Sequence, residues 1–162
     1  MKKMILIGLL LIAIPLFHGC KEPMVSPYYP NAIINFTIYP NEIHYHDLNT
    51  VSGWMYLTSD YESTSRGIIV YRLSEYEFIA YDRLPPNEPN ACCDAQGNCT
   101  RLVVEFPYVV DHCNNAYYNI INGEIIISES LDMVPDFPTD SVIYPLIQYH
   151  TSYNGNELHI YN

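Results

Sequence analysis

Cations are scarce in this chain of 162 residues: seven Lys and Arg stand against eighteen Asp and Glu, a formal charge of −11. That excess of one sign repels phosphate backbones and anionic headgroups, which excludes a nucleic-acid binder and a polybasic membrane-surface protein. Long apolar runs are also few. One opens the chain, from Met4 to Phe17, and no later segment approaches the roughly 20 apolar residues of a membrane-crossing helix. No helical period of useful length and no internal repeat is present. Catalytic patterns are missing too, with no G-x-S-x-G elbow, no H-E-x-x-H, no phosphate-cradling glycine loop and no G-x-G-x-x-G. No nucleophile can be named, and an enzyme is not the expected reading. What is present is material for a core: 49% of the residues are hydrophobic, 14% aromatic and 15% charged, enough for one folded domain.

Lys2 and Lys3, the apolar run and then His18-Gly19-Cys20 have the three-part layout of a short secretory leader. Leu16-Phe17-His18-Gly19-Cys20 resembles the lipobox of bacterial lipoproteins, with His18 departing from the usual residue. The resemblance implies a signal peptide over 1–19 and acylation of Cys20. Several acyl chains together hold a soluble domain on a membrane, where one chain holds it only marginally. Without the two leader lysines, five cations face eighteen anions and the balance becomes −13. Residues 20–31, with Pro23, Pro27 and Pro30, read as the lipidated cysteine and an extended tether, and residues 32–162 as a single domain. The expected location is the cell envelope, at the outer membrane, with the side left open. Lys21-Glu22 resembles the charged export signals of surface lipoproteins in the Bacteroidetes.

From Ala32 to Tyr39, Ile34, Phe36 and Ile38 alternate with polar residues, the period of a half-buried strand. Further β-rich runs follow at Trp54 to Leu57, Gly67 to Leu73, Glu77 to Asp82, Arg101 to Phe106, Tyr117 to Ile121, Glu124 to Ser128, Leu146 to Thr151 and Glu157 to Tyr161. Asn122-Gly123 and Asn154-Gly155 each separate two runs and predict hairpins with type I′ turns. The whole predicts an all-β antiparallel sandwich or small barrel. Two stretches, Leu84 to Thr100 and Glu129 to Pro145, are too long for plain turns, and such loops are often functional.

Without Cys20, four cysteines remain, Cys92, Cys93, Cys99 and Cys113, an even set in an exported chain. Two disulfides are expected. Of the three pairings, the one containing a vicinal Cys92–Cys93 bond is disfavoured by strain, so a bond should tie Cys113 to the long loop. Closing a loop of that size stabilises a fold by roughly 3 kcal/mol in the chain-entropy model. The rival is a metal or cluster on four thiolates. Spacing and compartment argue against it, since no C-x-x-C pair exists and adjacent cysteines on an extended segment point apart.

Gly67-Ile68-Ile69-Val70-Tyr71-Arg72 followed by Glu77-Phe78-Ile79-Ala80-Tyr81-Asp82-Arg83 resembles the strand pair that leads into the first cluster loop of Rieske-type domains. Asp111 to Tyr118, the hairpin at Asn122-Gly123, Pro145-Leu146 with Tyr149, and Asn154-Gly155 with Leu158 resemble the second cluster loop and closing strands. The chain is similar in particular to small Rieske-like lipoproteins of the Bacteroidetes, over about Thr50 to Asn162. The resemblance implies an all-β fold with two long loops at one tip, one supplying C-x-H and the other C-x-x-H to a [2Fe–2S] cluster. Matched position by position, the ligands are missing. Leu84-Pro85-Pro86 stands where the first motif falls, while Asp111 and Asn114 occupy the thiolate and imidazole positions of the second. Cys113 corresponds to an extra cysteine that in many members of the family bridges the two loops by a disulfide. The Gly-Pro-Ala turn of the family is replaced by the acidic stretch Glu129 to Asp140. No cofactor is therefore expected, the alternative being a cluster on non-standard cysteine ligands.

Other candidates compete with plainer readings. His44 and His46, two apart on a strand, would share a face and reach a metal, or simply form a polar face. Glu129, Asp132, Asp136 and Asp140 carry hard oxygen ligands, but their spacing fits no calcium loop and a solvated acidic loop is expected. Sixteen tyrosines, among them Tyr28, Tyr29, Tyr56, Tyr61, Tyr117 and Tyr118, suit either a binding face or ordinary sheet packing. Asp140-Ser141-Val142 resembles the O-glycosylation acceptor pattern of Bacteroidetes envelope proteins. Together these features predict a lipid-anchored, disulfide-stapled β domain that has lost its cluster and serves as a binding or structural module, its membrane contact made through the lipid and its envelope partner or ligand unidentified.

Overall fold

A computed structural model describes residues 25–30, 32–57, 66–138 and 140–162. The expected leader, Cys20, Lys21-Glu22 and Tyr61 lie outside the described residues. No described helix is long and apolar enough to cross a membrane.

Among the described residues are strands β1 (Asn35–Ile38), β2 (Trp54–Leu57), β3 (Ile68–Arg72), β4 (Phe78–Asp82) and β5 (Val103–Glu105). The second half of the chain adds β6 (Tyr108–Asp111), β7 (Ala116–Asn119), β8 (Ile125–Ile126), β9 (Gln148–Tyr153) and β10 (Leu158–Tyr161). Two short 3-10 segments accompany them, Ile43–Leu48 and Glu129–Leu131. A curled six-stranded sheet runs β1-β10-β9-β4-β3-β2, and a four-stranded sheet runs β5-β6-β7-β8. Every pairing is antiparallel. The all-β fold expected from strand periodicity is the fold observed.

Strands β3 and β4 are buried at every residue. Their alternate side chains serve two different cores, as the two-residue period of a strand requires. Ile68, Val70, Phe78 and Ala80 pack with Ile34, Ile38, Leu158 and Ile160 inside the curl of the large sheet. Ile69, Tyr71, Ile79 and Tyr81 turn the other way and pack on Val109, Ala116 and Tyr118 of the small sheet. The β3–β4 pair, covered on both faces, thus stands at the centre of the molecule.

All nine expected runs carry a strand, with shifted ends, and β6 adds one that periodicity missed. Tyr108-Val109-Val110-Asp111 shows no alternation, because Val109, Val110 and Asp111 are all buried. The segment expected as a second loop is consequently a short turn, 112–115, between β6 and β7. Both hairpins form, but neither turn is type I′. That type needs positive φ at both central residues, whereas only Gly123 (φ 72°) and Gly155 (φ 99°) have it. Gly123 meets a second demand, since a Cβ there would stand 3.0 Å from the Tyr81 ring and 3.2 Å from the Leu146 side chain.

The end of the expected tether lies on the domain. Ser26 is buried and its hydroxyl donates to the Pro86 carbonyl at 2.6 Å. The Tyr29 ring stands edge-on to Tyr149 at 6.3 Å.

Candidate functional site

Three segments converge at the end of the sandwich where β4 and β6 finish: the β4–β5 loop, the 112–115 turn, and the long connection from β8 to β9. Their meeting is a matter of hydrogen-bond demand, because irregular backbone buried away from water needs partners that no ladder supplies. Side-chain amides supply them. Asn87, buried in the first loop, donates from Nδ2 to the Tyr118 hydroxyl (3.1 Å) and the Tyr144 carbonyl (3.0 Å). Its Oδ1 accepts the Tyr144 N–H at 2.9 Å. Asn114, buried in the turn, donates from Nδ2 to Asp111 Oδ2 at 2.8 Å and to the Asn87 carbonyl at 3.5 Å. Asp111 Oδ1 accepts the Cys113 N–H at 3.0 Å, and the Asn114 carbonyl accepts the Asp136 N–H at 2.8 Å. Asn115 adds Nδ2 bonds to the carbonyls of Asp132 (3.3 Å) and Val134 (3.1 Å).

A second knot closes the base of the first loop. Asp82, at the end of β4 and fully buried, accepts the Leu84 N–H at 2.6 Å and the Tyr149 hydroxyl at 2.5 Å. Arg66 donates to the carbonyls of Pro89 (2.7 Å) and Thr100 (2.8 Å) and to Asn90 Oδ1 (3.1 Å), drawing the two limbs of the loop together. Burial lowers the Arg66 guanidinium pKa from its ordinary value, while Asp82 and Asp111 oppose the shift and Arg101 reinforces it. Arg83 donates to the Leu102 carbonyl at 3.0 Å with its guanidinium 3.8 Å over the Tyr56 ring.

Both disulfides are present. Cys92–Cys113 joins the first loop to the turn, with Cα atoms 5.8 Å apart, and Cys93–Cys99 closes a small loop within the first, with Cα atoms 3.9 Å apart. Adjacent cysteines thus serve different partners, although Cys92 lies in a turn and only Cys93 in an extended bridge, to Cys99.

The tip fits a [2Fe–2S] centre poorly. Leu84, Pro85 and Pro86 are buried and carry no side-chain donor to iron. Asp111 and Asn114 bond each other, and no sulfur of the four cysteines is a thiolate. The histidine expectation needs correction. His44 and His46 lie on the 3-10 segment rather than a strand, both exposed. Tyr45 between them is non-helical (φ −117°, ψ 25°), so the alternation of a strand does not apply, and His46 pairs with Asp47 at 3.0 Å. Glu129, Asp132, Asp136 and Asp140 are exposed. Among the described residues no three His, Cys, Asp or Glu side chains gather as a metal site does. Of the tyrosines, Tyr28 and Tyr29 are exposed, Tyr56 and Tyr117 half-buried, and Tyr118 fully buried. Burial raises the Tyr118 hydroxyl pKa, the Asn87 bond opposing it and Asp111 adding to it.

Sequence reasoning missed Asn87, Asp82, Arg66 and Ser26. Asn87 follows Pro85-Pro86 in an irregular loop, and no local pattern marks it. Two clefts flank the tip. One of about 550 Å³ runs between Val25, Tyr29 and the Pro145–His150 stretch; a shallower one of about 290 Å³ is lined by Tyr28, Glu88, Val142 and Tyr144. The buried carboxylates of Asp82 and Asp111 each accept hydrogen bonds at both oxygens. No protein-family model, no curated protein and no solved structure matches this chain.

Proposed function

We propose that this is a lipid-anchored cell-envelope protein whose disulfide-stapled, Rieske-like β domain has no cluster and acts as a non-enzymatic binding or structural module. The observation that carries the reading is the Asp111–Asn114 bond of 2.8 Å. Two groups standing at the resemblance's ligand positions are spent on each other inside the protein, with the buried Leu84-Pro85-Pro86 standing at the other two. The convergence of the β4–β5 loop and the 112–115 turn at one tip supports the Rieske-like part of the reading. Export is supported by the leader and by the two disulfides, which persist in oxidising compartments.

The competing reading, an electron-transfer protein with cysteine ligands drawn from Cys92, Cys93, Cys99 and Cys113, requires thiolates where disulfides stand. Iron and acid-labile sulfide analysis of protein prepared from its exported compartment separates the two. We expect neither element above background and no free thiol on denaturation without reductant. Stoichiometric iron and sulfide, with four titratable thiols, would reverse the assignment.

A further inference from the structure

The segment nearest the proposed anchor does not stand away from the domain. From Cys20 to Val25 the chain has five residue steps, at most roughly 18 Å when fully extended. From Val25 onward it is seated on the tip: Ser26 bonds Pro86, and Tyr29 packs edge-on against Tyr149. An acylated Cys20 at the headgroup level therefore keeps Val25 within roughly 18 Å of the bilayer surface.

The face around Val25 carries the side chains that suit that position. Val25 is 60% exposed, Tyr28 45%, Tyr29 37% and Val142 58%. Tyr28 and Val142 line one cleft and Val25 and Tyr29 the other, and the segment 25–29 runs past both. Tyrosines with an apolar ring and a polar tip settle in the headgroup zone. Glu88 and Asp140 at the rim are exposed and disfavour anionic headgroups, which points to a zwitterionic surface.

We infer that the face formed by Val25, Tyr28, Tyr29 and Val142 lies against the lipid headgroups, so that the protein is docked on its membrane tip-down rather than lifted off it by a tether. The inference rests on acylation of Cys20. The β9–β10 hairpin, 154–157, then points away: β9 runs from the tip side at Gln148, beside Tyr81 at the end of β4, to Tyr153. Six residues of strand place that hairpin roughly 20 Å further out.

The test uses the full mature chain, purified from membranes, ¹⁵N-labelled and placed in phosphatidylcholine nanodiscs containing a headgroup-nitroxide lipid. Intact mass is read first on the same sample. Acylated protein should show amide relaxation enhancement several-fold greater at Val25–Tyr29 and Ser141–Tyr144 than at Asn154–Glu157. The triple variant Tyr28→Ser, Tyr29→Ser, Val142→Ser, still acylated, should lose that contrast while keeping its far-side spectrum. Acylated protein with uniform enhancement, or with the maximum at Asn154–Glu157, overturns the docking face and leaves the lipoprotein reading standing. An unmodified N-terminus overturns both, and a glycan on Ser141 overturns the docking face, which it would hold off the bilayer.

Discussion

Asn87 and Tyr144 exchange two hydrogen bonds across 57 positions of sequence: the Tyr144 N–H donates to Asn87 Oδ1 at 2.9 Å, and Asn87 Nδ2 donates to the Tyr144 carbonyl at 3.0 Å. The carboxamide serves the Tyr144 backbone as a neighbouring strand would, in a place with no strand. Two long and mostly irregular loops are thereby fixed to each other.

The Asn87→Ala variant removes these bonds and the one to Tyr118, leaving buried donors and acceptors without partners. At about 1–3 kcal/mol for each group left unsatisfied, the expected loss is about 2–4 kcal/mol in urea unfolding. A loss below about 0.5 kcal/mol, the size of an ordinary surface substitution, would show that the amide bridge does not hold the tip.

The two disulfides should differ in weight. Cys92–Cys113 spans 21 positions and Cys93–Cys99 only 6, and chain entropy makes the longer closure worth about 1 kcal/mol more. The long one also holds the turn that carries Asn114, next to Asp111 at the end of β6. Paired serine substitution at Cys92 and Cys113 should therefore lower the melting temperature more than the same change at Cys93 and Cys99. The reverse order would contradict the tip's assigned architecture.

Gly123→Ala places a methyl group at positive φ and against the Tyr81 ring. The expected loss is about 1–3 kcal/mol, measured by urea unfolding. A neutral result would mean that the β7–β8 turn relaxes freely.

Tyr81 and Tyr118 predict an alkaline limit. Burial raises both hydroxyl pKa values above the ordinary 10.0. The unfolded chain then releases these protons first. Their contribution is complete below pH 10, the unfolded value, and is lost as pH climbs toward the folded values. The Tyr81 hydroxyl has no hydrogen-bond partner among the described residues, so Tyr81→Phe should be neutral or stabilising by about 1 kcal/mol and should weaken the alkaline loss. Tyr118→Phe, which breaks the bond to Asn87, should destabilise at neutral pH. Urea unfolding at pH 8 and at pH 11 measures both, and an unchanged slope with pH in Tyr81→Phe would contradict the assignment.

The strands were legible because alternation is a local property: Ile34, Phe36 and Ile38 announce a half-buried strand without knowledge of what covers it. Strand β6 was not, since burial on both faces erases alternation at Val109-Val110. The hairpin positions follow from Asn-Gly, but the turn type does not, because the connections 120–124 and 154–157 are longer than a two-residue turn and let glycine alone carry the positive φ. His44 and His46 were misplaced because spacing of two implies a shared face only on a strand. The tip was the least legible region. Its order depends on Asn87 reaching Tyr118 and Tyr144, 31 and 57 positions away, and such partners are created by the fold rather than written beside the residue. The cysteines were the exception, because their number and adjacency left few pairings to consider.

The proposed function turns on a tip closed by amides, carboxylates and disulfides, at the positions to which the Rieske resemblance assigns cluster ligands. Electron paramagnetic resonance of the exported protein, frozen after dithionite reduction, tests it most directly. The account predicts a silent spectrum in a colourless sample; a rhombic signal of reduced [2Fe–2S], integrating to about one spin per chain, would contradict it.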